Sequence, residues 1–375
     1  MASVFLLAFP LTWYTIILLV TLVLAHFINF SRNDFRTMGK LPLLLLVLLI
    51  IYVWGIWNEP KLYDGIYTVR NKFYYLFIPL LFCFKEINIR TLKNTWIWGA
   101  GIMGAALLLA AIIRFAISGD ASEFYYGNLS LRMHPSYFAL MVLIGWIWLI
   151  QKKQKGTWDY ALGVLFLALL YLLSARAIHI AAIVTALVML VHAFIYNRGI
   201  KYLVYTIVGA TLICGTVRMM GKGINRTTEM VQTLAAKDKS KAKSSTNVRL
   251  LMWQSVYDHK SEIMPGGVGA QHATSFLHAK WQEDGMDFLK ERGYTNVHNQ
   301  YLQLFVVGGI LGLLALCLVL LYFLRYPEPN IYNWVVTISI AIALLFECTL
   351  ERQMGVTTVV TAFCIMAYRE KRKSS

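Results

Sequence analysis

Long apolar runs, separated mostly by short polar breaks, fill nearly the whole chain. Eleven of them approach the roughly 20 residues that a helix needs to cross a bilayer. They lie at about 4–28, 41–57, 73–89, 96–117, 134–151, 158–174, 177–197, 202–220, 299–325, 331–347 and 353–368. Lipid offers no hydrogen-bond partner to the backbone, so these spans are predicted to be helices. Lys85 and Glu86 interrupt the end of the third run, and a missed or split span there would make twelve. Val4–Phe27 is too long for a cleaved signal peptide and lacks its basic start, so it reads as a retained first span. The break between the sixth and seventh runs is so short that Ser174-Ala175-Arg176 must form a tight turn.

One polar segment is long enough to fold by itself, Gly221–Val297. Its Lys237–Ser245 part, rich in Lys, Ser and Ala, reads as solvated chain. Beyond it, Thr246 or Asn247 is expected to cap a helix. Its apolar positions Val248, Leu251, Met252, Val256 and Tyr257 recur at helical spacing. Pro265-Gly266-Gly267-Val268-Gly269 then breaks the chain and returns it towards the membrane. Gln271–Arg292 reads as a second amphipathic stretch. The expected fold is therefore an all-α polytopic membrane protein in three parts. These are a helix bundle at 1–220, an outer loop with short helices at 221–297, and C-terminal helices with a basic tail at 298–375. No internal repeat is visible, which weakens a transporter built on duplicated halves.

Composition agrees with the pattern. The apolar share is 58 % and the charged share 14 %, too little charge to cover a soluble domain of 375 residues. Cys83, Cys214, Cys317, Cys348 and Cys364 all lie in or beside apolar runs, so neither a disulfide framework nor a metal knuckle is expected. The formal charge of +16 does not point to nucleic acid, because most of it sits in short loops. Arg32, Arg36 and Lys40 share one side with Lys85, Arg90 and Lys93, and with Lys152, Lys153 and Lys155. Arg198 and Lys201, Arg325, and the tail Arg369, Lys371, Arg372 and Lys373 fall on that side too. The positive-inside rule makes that side cytoplasmic, which puts the N-terminus and the 221–297 loop outside and the C-terminus inside.

Candidate chemistry gathers on the outer side. His298 and Asn299 open a span, followed by Gly308, Gly309 and Gly312, which permit close helix packing. A histidine there suits a general base, because its unperturbed pKa lies near working pH; an interfacial helix cap is the plainer reading. Arg176 at the head of a span is either an arginine snorkelling to the interface or an anion-binding group at a cavity rim. His179, one turn on, reads as a packed helix residue. Arg249 starts the outer-loop helix and by itself would be a solvated charge. Arg132 and His134 meet the membrane where Pro135 begins a span, and Arg114 ends the span before. Glu347, Glu351 and Arg352 occupy another outer turn, where the acids can pair with these arginines or form an ordinary surface salt bridge.

Taken together, these pieces resemble the O-antigen ligase and O-antigen polymerase superfamily. The resemblance rests on Ser174-x-Arg176 opening a span, Arg249-x-x-x-Trp253, and the Gly267–Gly269 turn. It also rests on the His298-Asn299-x-Tyr301-Leu302 segment running to Gly312, and it covers mainly residues 130–370. The Glu347-x-x-x-Glu351-Arg352-Gln353-x-Gly355 element is similar to a variant of Bacteroidetes-type ligases. Members typically have twelve spans. The resemblance implies an enzyme of the bacterial inner membrane that takes a glycan from undecaprenyl diphosphate. It joins that glycan to an acceptor sugar, such as lipid A–core, on the periplasmic side. It further implies that Arg176 and Arg249 hold the diphosphate and that His298 is the base. Supporting candidates are Ser174, Asn299, Arg132, His134, Glu347 and Arg352.

The residues suit that chemistry on their own terms. Arginine forks match phosphate oxygens and stay charged at every relevant pH. In a water-poor rim they stabilise the charge that grows on a diphosphate leaving group. No Asp-x-Asp pair stands in the outer loops to hold a metal-bound nucleotide sugar, so no metal or other cofactor is expected. Direct displacement inverts the anomeric carbon. Expected partners are the lipid-linked donor, the glycan acceptor and membrane lipids. A polymerase using the same donor, or a non-catalytic lipid-linked sugar transporter, are the alternatives.

Overall fold

The computed structural model describes residues 38–54, 56, 62–83, 88–131, 133–173, 175–196, 245–325 and 330–368. Among them every regular element is helical. In order come α1 (Leu41–Val53), α2 (Leu62–Val69), α3 (Tyr74–Cys83), α4 (Ile89–Ser118), α5 (Tyr126–Ser130), α6 (Pro135–Gln151), α7 (Thr157–Leu173) and α8 (Arg176–Ile195). The polar segment before the last three long helices carries α9 (Ser245–Asp258), α10 (Lys260–Ile263), α11 (Ala273–Glu283) and α12 (Phe288–Glu291). The chain closes with α13 (Gln300–Arg325), α14 (Ile331–Phe346) and α15 (Gln353–Ala367). Helices stand at each expected span inside the described residues; the expected spans at 4–28 and 202–220 lie outside them.

The fold is that of a helical membrane protein. α4 and α13, at 30 and 26 residues, are long and apolar enough to cross a bilayer. Their outward faces carry exposed Ile102, Leu109 and Ile117 on α4 and Leu311 and Leu318 on α13. Such contiguous apolar surface suits acyl chains rather than water. α6 and α15 are buried on nearly all sides and form the centre of the bundle, as helices without a polar face must. A hydrogen bond between the Thr185 and Ser339 hydroxyls, 2.8 Å, ties α8 to α14.

The helix ends follow local chemistry. Asn88, Asn299 and Asn330 each accept backbone N–H groups from the first turn of α4, α13 and α14. Gly119, at φ +70°, stops α4 in the left-handed region. The third span is longer than its hydropathy indicates. A helical path runs through α2, a 3-10 turn at Arg70–Phe73 and α3, so it starts well before residue 73. Lys72 interrupts the apolar run, yet it is buried with its charge matched by Glu351. Cys317, Cys348 and Cys364 are free thiols.

In the polar segment, α9 begins at Ser245, ahead of the expected caps. Asn247 sits inside the helix and is buried beside Val248, so its first turn is packed rather than frayed. The second amphipathic stretch is two helices, α11 and α12, because Gly285 at φ +69° reverses the chain between them. Leu251, Val256, Leu277, Trp281 and Leu289 form the core of this small layer.

The loop is clamped to α13 through backbone. α13 breaks at Gly308–Gly309, where Gly309 has φ +60° and ψ −147°. The break frees the Val306 and Val307 carbonyls to accept N–H bonds from Val268 (2.8 Å) and Gly269 (2.9 Å). Ile310 N–H in turn donates to the Pro265 carbonyl at 3.1 Å. A Cβ on Gly309 would overlap Pro265, and one on Gly267 would overlap Val307. Gly308 does meet a neighbouring helix, through Ile51 of α1, as the glycine spacing predicts; Gly309 instead seats the returning turn.

Candidate active site

The C-terminal ends of α4, α7 and α14 meet the N-terminal ends of α6, α8, α13 and α15 at one end of the bundle, beside α9–α12. His298 stands just before α13 with φ +49°, a conformation that strains a residue bearing a Cβ. Several contacts hold it. The Asn296 side chain accepts the His298 N–H at 3.0 Å, and Tyr294 meets the imidazole edge-on at 5.6 Å. The Trp253 indole donates to the preceding carbonyl of Val297 at 2.8 Å. Asn299 turns out to be the α13 cap, with its carboxamide oxygen taken by Tyr301 and Leu302 N–H groups.

Arg249 and Trp253 sit one turn apart on the same face of α9. Trp253 braces the His298 backbone while Arg249 reaches the other partner of that imidazole. This partner is Glu347, the residue that ends α14 in extended conformation. Its Oε1 accepts from Arg249 Nη2 at 2.5 Å and its Oε2 lies 3.1 Å from His298 Nδ1. Glu347 is buried while Arg249 and His298 remain about a fifth exposed, so the carboxylate forms the floor and the two bases open outward. Burial alone would push the Glu347 carboxyl up. The hydrogen bond with His298 and the charge of Arg249 outweigh it and hold the acid below its ordinary value.

Further groups crowd round this triad. His134, just before α6, stacks on Tyr137 at 4.7 Å and lies in the fields of Glu347, His298, Arg249 and Arg352. Its Nδ1 is buried without a hydrogen-bond partner among the described residues. Arg352 is exposed at the head of α15. Tyr126, in the left-handed region at φ +51° and half exposed, feels Glu347, Arg249 and Arg176 together. Arg176, exposed at the head of α8, is thereby placed beside the cluster. His179 is packed, its Nε2 2.7 Å from the Leu170 carbonyl. Arg114 is occupied in bracing the outer turn, through Glu123 at 2.6 Å and the Asn128 carbonyl at 2.7 Å. Ser174 and Arg132 lie outside the described residues.

A second layer escapes sequence reading. Glu351 pairs with buried Lys72 at 2.7 Å and accepts from Tyr52 at 2.5 Å and Gln300 at 3.0 Å. Lys72 also donates to the Leu350 carbonyl, and the Gln300 oxygen takes Leu350 N–H at 2.7 Å. The turn bearing Glu347 is thus anchored at its other end. Gly355 completes it, since a Cβ there would overlap the Thr349 carbonyl. The Glu-x-x-x-Glu spacing was the visible trace of this layer; Lys72 in its Arg70-Asn71-Lys72 setting left none. Elsewhere, His259, Glu262 and Glu283 bring ligand-type atoms within 4.8 Å of one another. They are engaged in a surface network in which Glu262 and Glu283 pair with Lys280 and His259 bonds Glu262 and Asp284.

Residues 161–317 match the model of the O-antigen ligase family. This stretch of the chain is similar to that family. An uncharacterised protein of Haemophilus influenzae is 24 % identical to it over 283 residues, 72 % of this chain and 68 % of that protein. Proteins of that family are membrane proteins, and the apolar helices of this chain agree with such a setting. The matched stretch contains Arg176, Arg249 and His298 but stops short of Glu347. Geometry alone ties that carboxylate to Arg249 and His298.

Proposed function

We propose that this protein acts as an O-antigen ligase, transferring O-antigen or a related polysaccharide from undecaprenyl diphosphate to lipid A–core on the periplasmic face of the inner membrane. The contact that supports the reading most is Glu347 shared between Arg249 and His298. A carboxylate on Nδ1 fixes the imidazole with its proton there and leaves the Nε2 lone pair for the acceptor hydroxyl. That hydroxyl oxygen attacks the anomeric carbon as its proton passes to Nε2. The bond from that carbon to the diphosphate breaks, and undecaprenyl diphosphate leaves with the electron pair. Arg176 and Arg249 stabilise its growing charge, so no metal is required. Displacement from the face opposite the leaving group inverts the anomeric centre. Arg249 exchanges part of its pairing with Glu347 for phosphate oxygens as donor enters.

The test is purified protein in liposomes with lipid-linked glycan and lipid A–core, alongside lipopolysaccharide gels from cells carrying the same variants. His298→Ala should insert normally and lose at least about a hundredfold in transfer. Wild-type transfer by that variant would end the assignment. Accumulated lipid-linked polymer with no ladder on core marks a ligase, whereas core bearing one repeat marks a polymerase. Unchanged donor with transport across vesicles marks a flippase.

A further inference from the structure

The far end of the bundle carries a second basic site. Where α4 begins and α6 and α15 end, a cavity of about 600 Å³ opens between the helices. Arg90, Lys93, Lys152 and Lys153 line it, together with Trp148 and Tyr368. Asp159 offsets Lys152 at 2.7 Å. Among the described residues that line it, no carboxylate offsets the other three. Lys93 donates to the neutral Gln151 side chain at 2.8 Å and stands 5.6 Å over the Trp148 ring. Arg90 and Lys153 are exposed at the rim. Trp148 is 2 % exposed, and its indole N–H is buried with no acceptor among the described residues.

Three like charges converging beside apolar helix ends repel one another unless an anion joins them. A single phosphate oxygen bearing negative charge would relieve that repulsion. The walls are chemically divided. Ile89, Ile97 and the Trp148 ring supply apolar contact, and the ammonium and guanidinium groups supply charge. Trp and Tyr at the level where spans end are the side chains of a headgroup interface. Basic pockets between spans at such a level take phosphate headgroups.

We propose that this cavity binds the phosphate-bearing headgroup of an anionic membrane phospholipid. The site stands at the opposite ends of α4, α6 and α15 from Arg249, His298 and Glu347, so it is independent of glycan transfer. The ligand chemistry is a phosphate diester with one negative charge, set at the depth where the helices leave the acyl region. Free phosphate shares the charge and lacks the glycerol and chains that the apolar wall would contact.

The full chain is placed in nanodiscs of phosphatidylcholine containing a minor share of phosphatidylglycerol, and retained lipid is read by native mass spectrometry. Wild type should retain phosphatidylglycerol about tenfold over its share in the disc. The Arg90→Gln/Lys93→Gln/Lys153→Gln variant should fall to that share while unfolding at the wild-type temperature in pure phosphatidylcholine discs. If that variant does not fold, the rim pair Arg90→Gln/Lys153→Gln, which leaves the Lys93–Gln151 bond in place, should still lose several-fold. Equal retention by wild type and a folded variant overturns the proposal, as does retention of both lipids in proportion to the disc. Displacement of the lipid by excess inorganic phosphate would assign the cavity to free phosphate and overturn the lipid assignment.

Discussion

Glu347→Gln alters no volume and leaves an amide where the carboxylate now serves two partners. If the new carbonyl oxygen stays on Arg249, the amide nitrogen faces His298 Nδ1. That nitrogen must then present a lone pair, so the ring proton moves to Nε2 and the base is lost. The equivalent acid-to-amide change in a serine-protease triad costs about 10⁴ in rate by the same tautomer switch, and a positioned general base is worth about 10²–10⁴. Transfer should therefore fall by about 10²–10⁴, or about 2.7–5.4 kcal/mol in barrier. Glu347→Asp, which keeps the charge at a longer reach, should fall less than the glutamine variant. The measurement is the initial rate of labelled glycan reaching lipid A–core in proteoliposomes at saturating donor. Glu347→Gln retaining activity within threefold of wild type, while His298→Ala is inactive, would show that the carboxylate does not set the imidazole.

Other expectations follow from neighbouring contacts. Lys72→Met leaves Glu351 inside the protein without its cation and should cost about 3 kcal/mol in thermal or denaturant unfolding. Adding Glu351→Gln should recover part of it, and a cost below about 0.5 kcal/mol would show the pair to be dispensable. Gly309→Ala puts a Cβ into the Pro265 carbonyl and forces φ +60° on a residue that resists it. It should detach the 265–269 turn, read as faster proteolysis there; unchanged cleavage would mean that the turn docks by other means. For His259, burial pulls the pKa down, but hydrogen bonds with Glu262 and Asp284 outweigh it and raise it above 6.5. A raised folded pKa stabilises fully below 6.5 and fades as pH climbs through the folded value. Hydrogen exchange in α9–α11 should quicken over that rise, and His259→Gln should flatten the dependence.

The helices were legible because a bilayer demands unbroken apolar length, and length survives in one-dimensional sequence. Arg249, Trp253 and His298 were legible because each belongs to a short local pattern. Glu347 was visible as an acid in an outer turn, but its two partners lie 98 and 49 positions away, and nothing local selects a buried bridge over a surface salt bridge. Lys72 was hidden for a sharper reason. A lone lysine lowers hydropathy and marks a loop, whereas here its charge is satisfied by an acid 279 positions later, so the helical path runs straight through it. The role of Gly309 was half-legible. Three glycines signal close approach, but not whether the visitor is a helix or a returning strand of backbone.

The carboxylate at position 347 lies beyond the stretch that marks the superfamily, and this orders the protein's birth. During synthesis Arg249 and His298 leave the ribosome first and wait for α14 to be threaded into the membrane. A message cut after Arg325 would yield a product that keeps every residue of the matched stretch and still lacks the group on which guanidinium and imidazole converge. Under the proposed mechanism such truncated chains should carry the matched stretch yet be inert, and nascent chains should act on donor lipid only once their last two helices are in place.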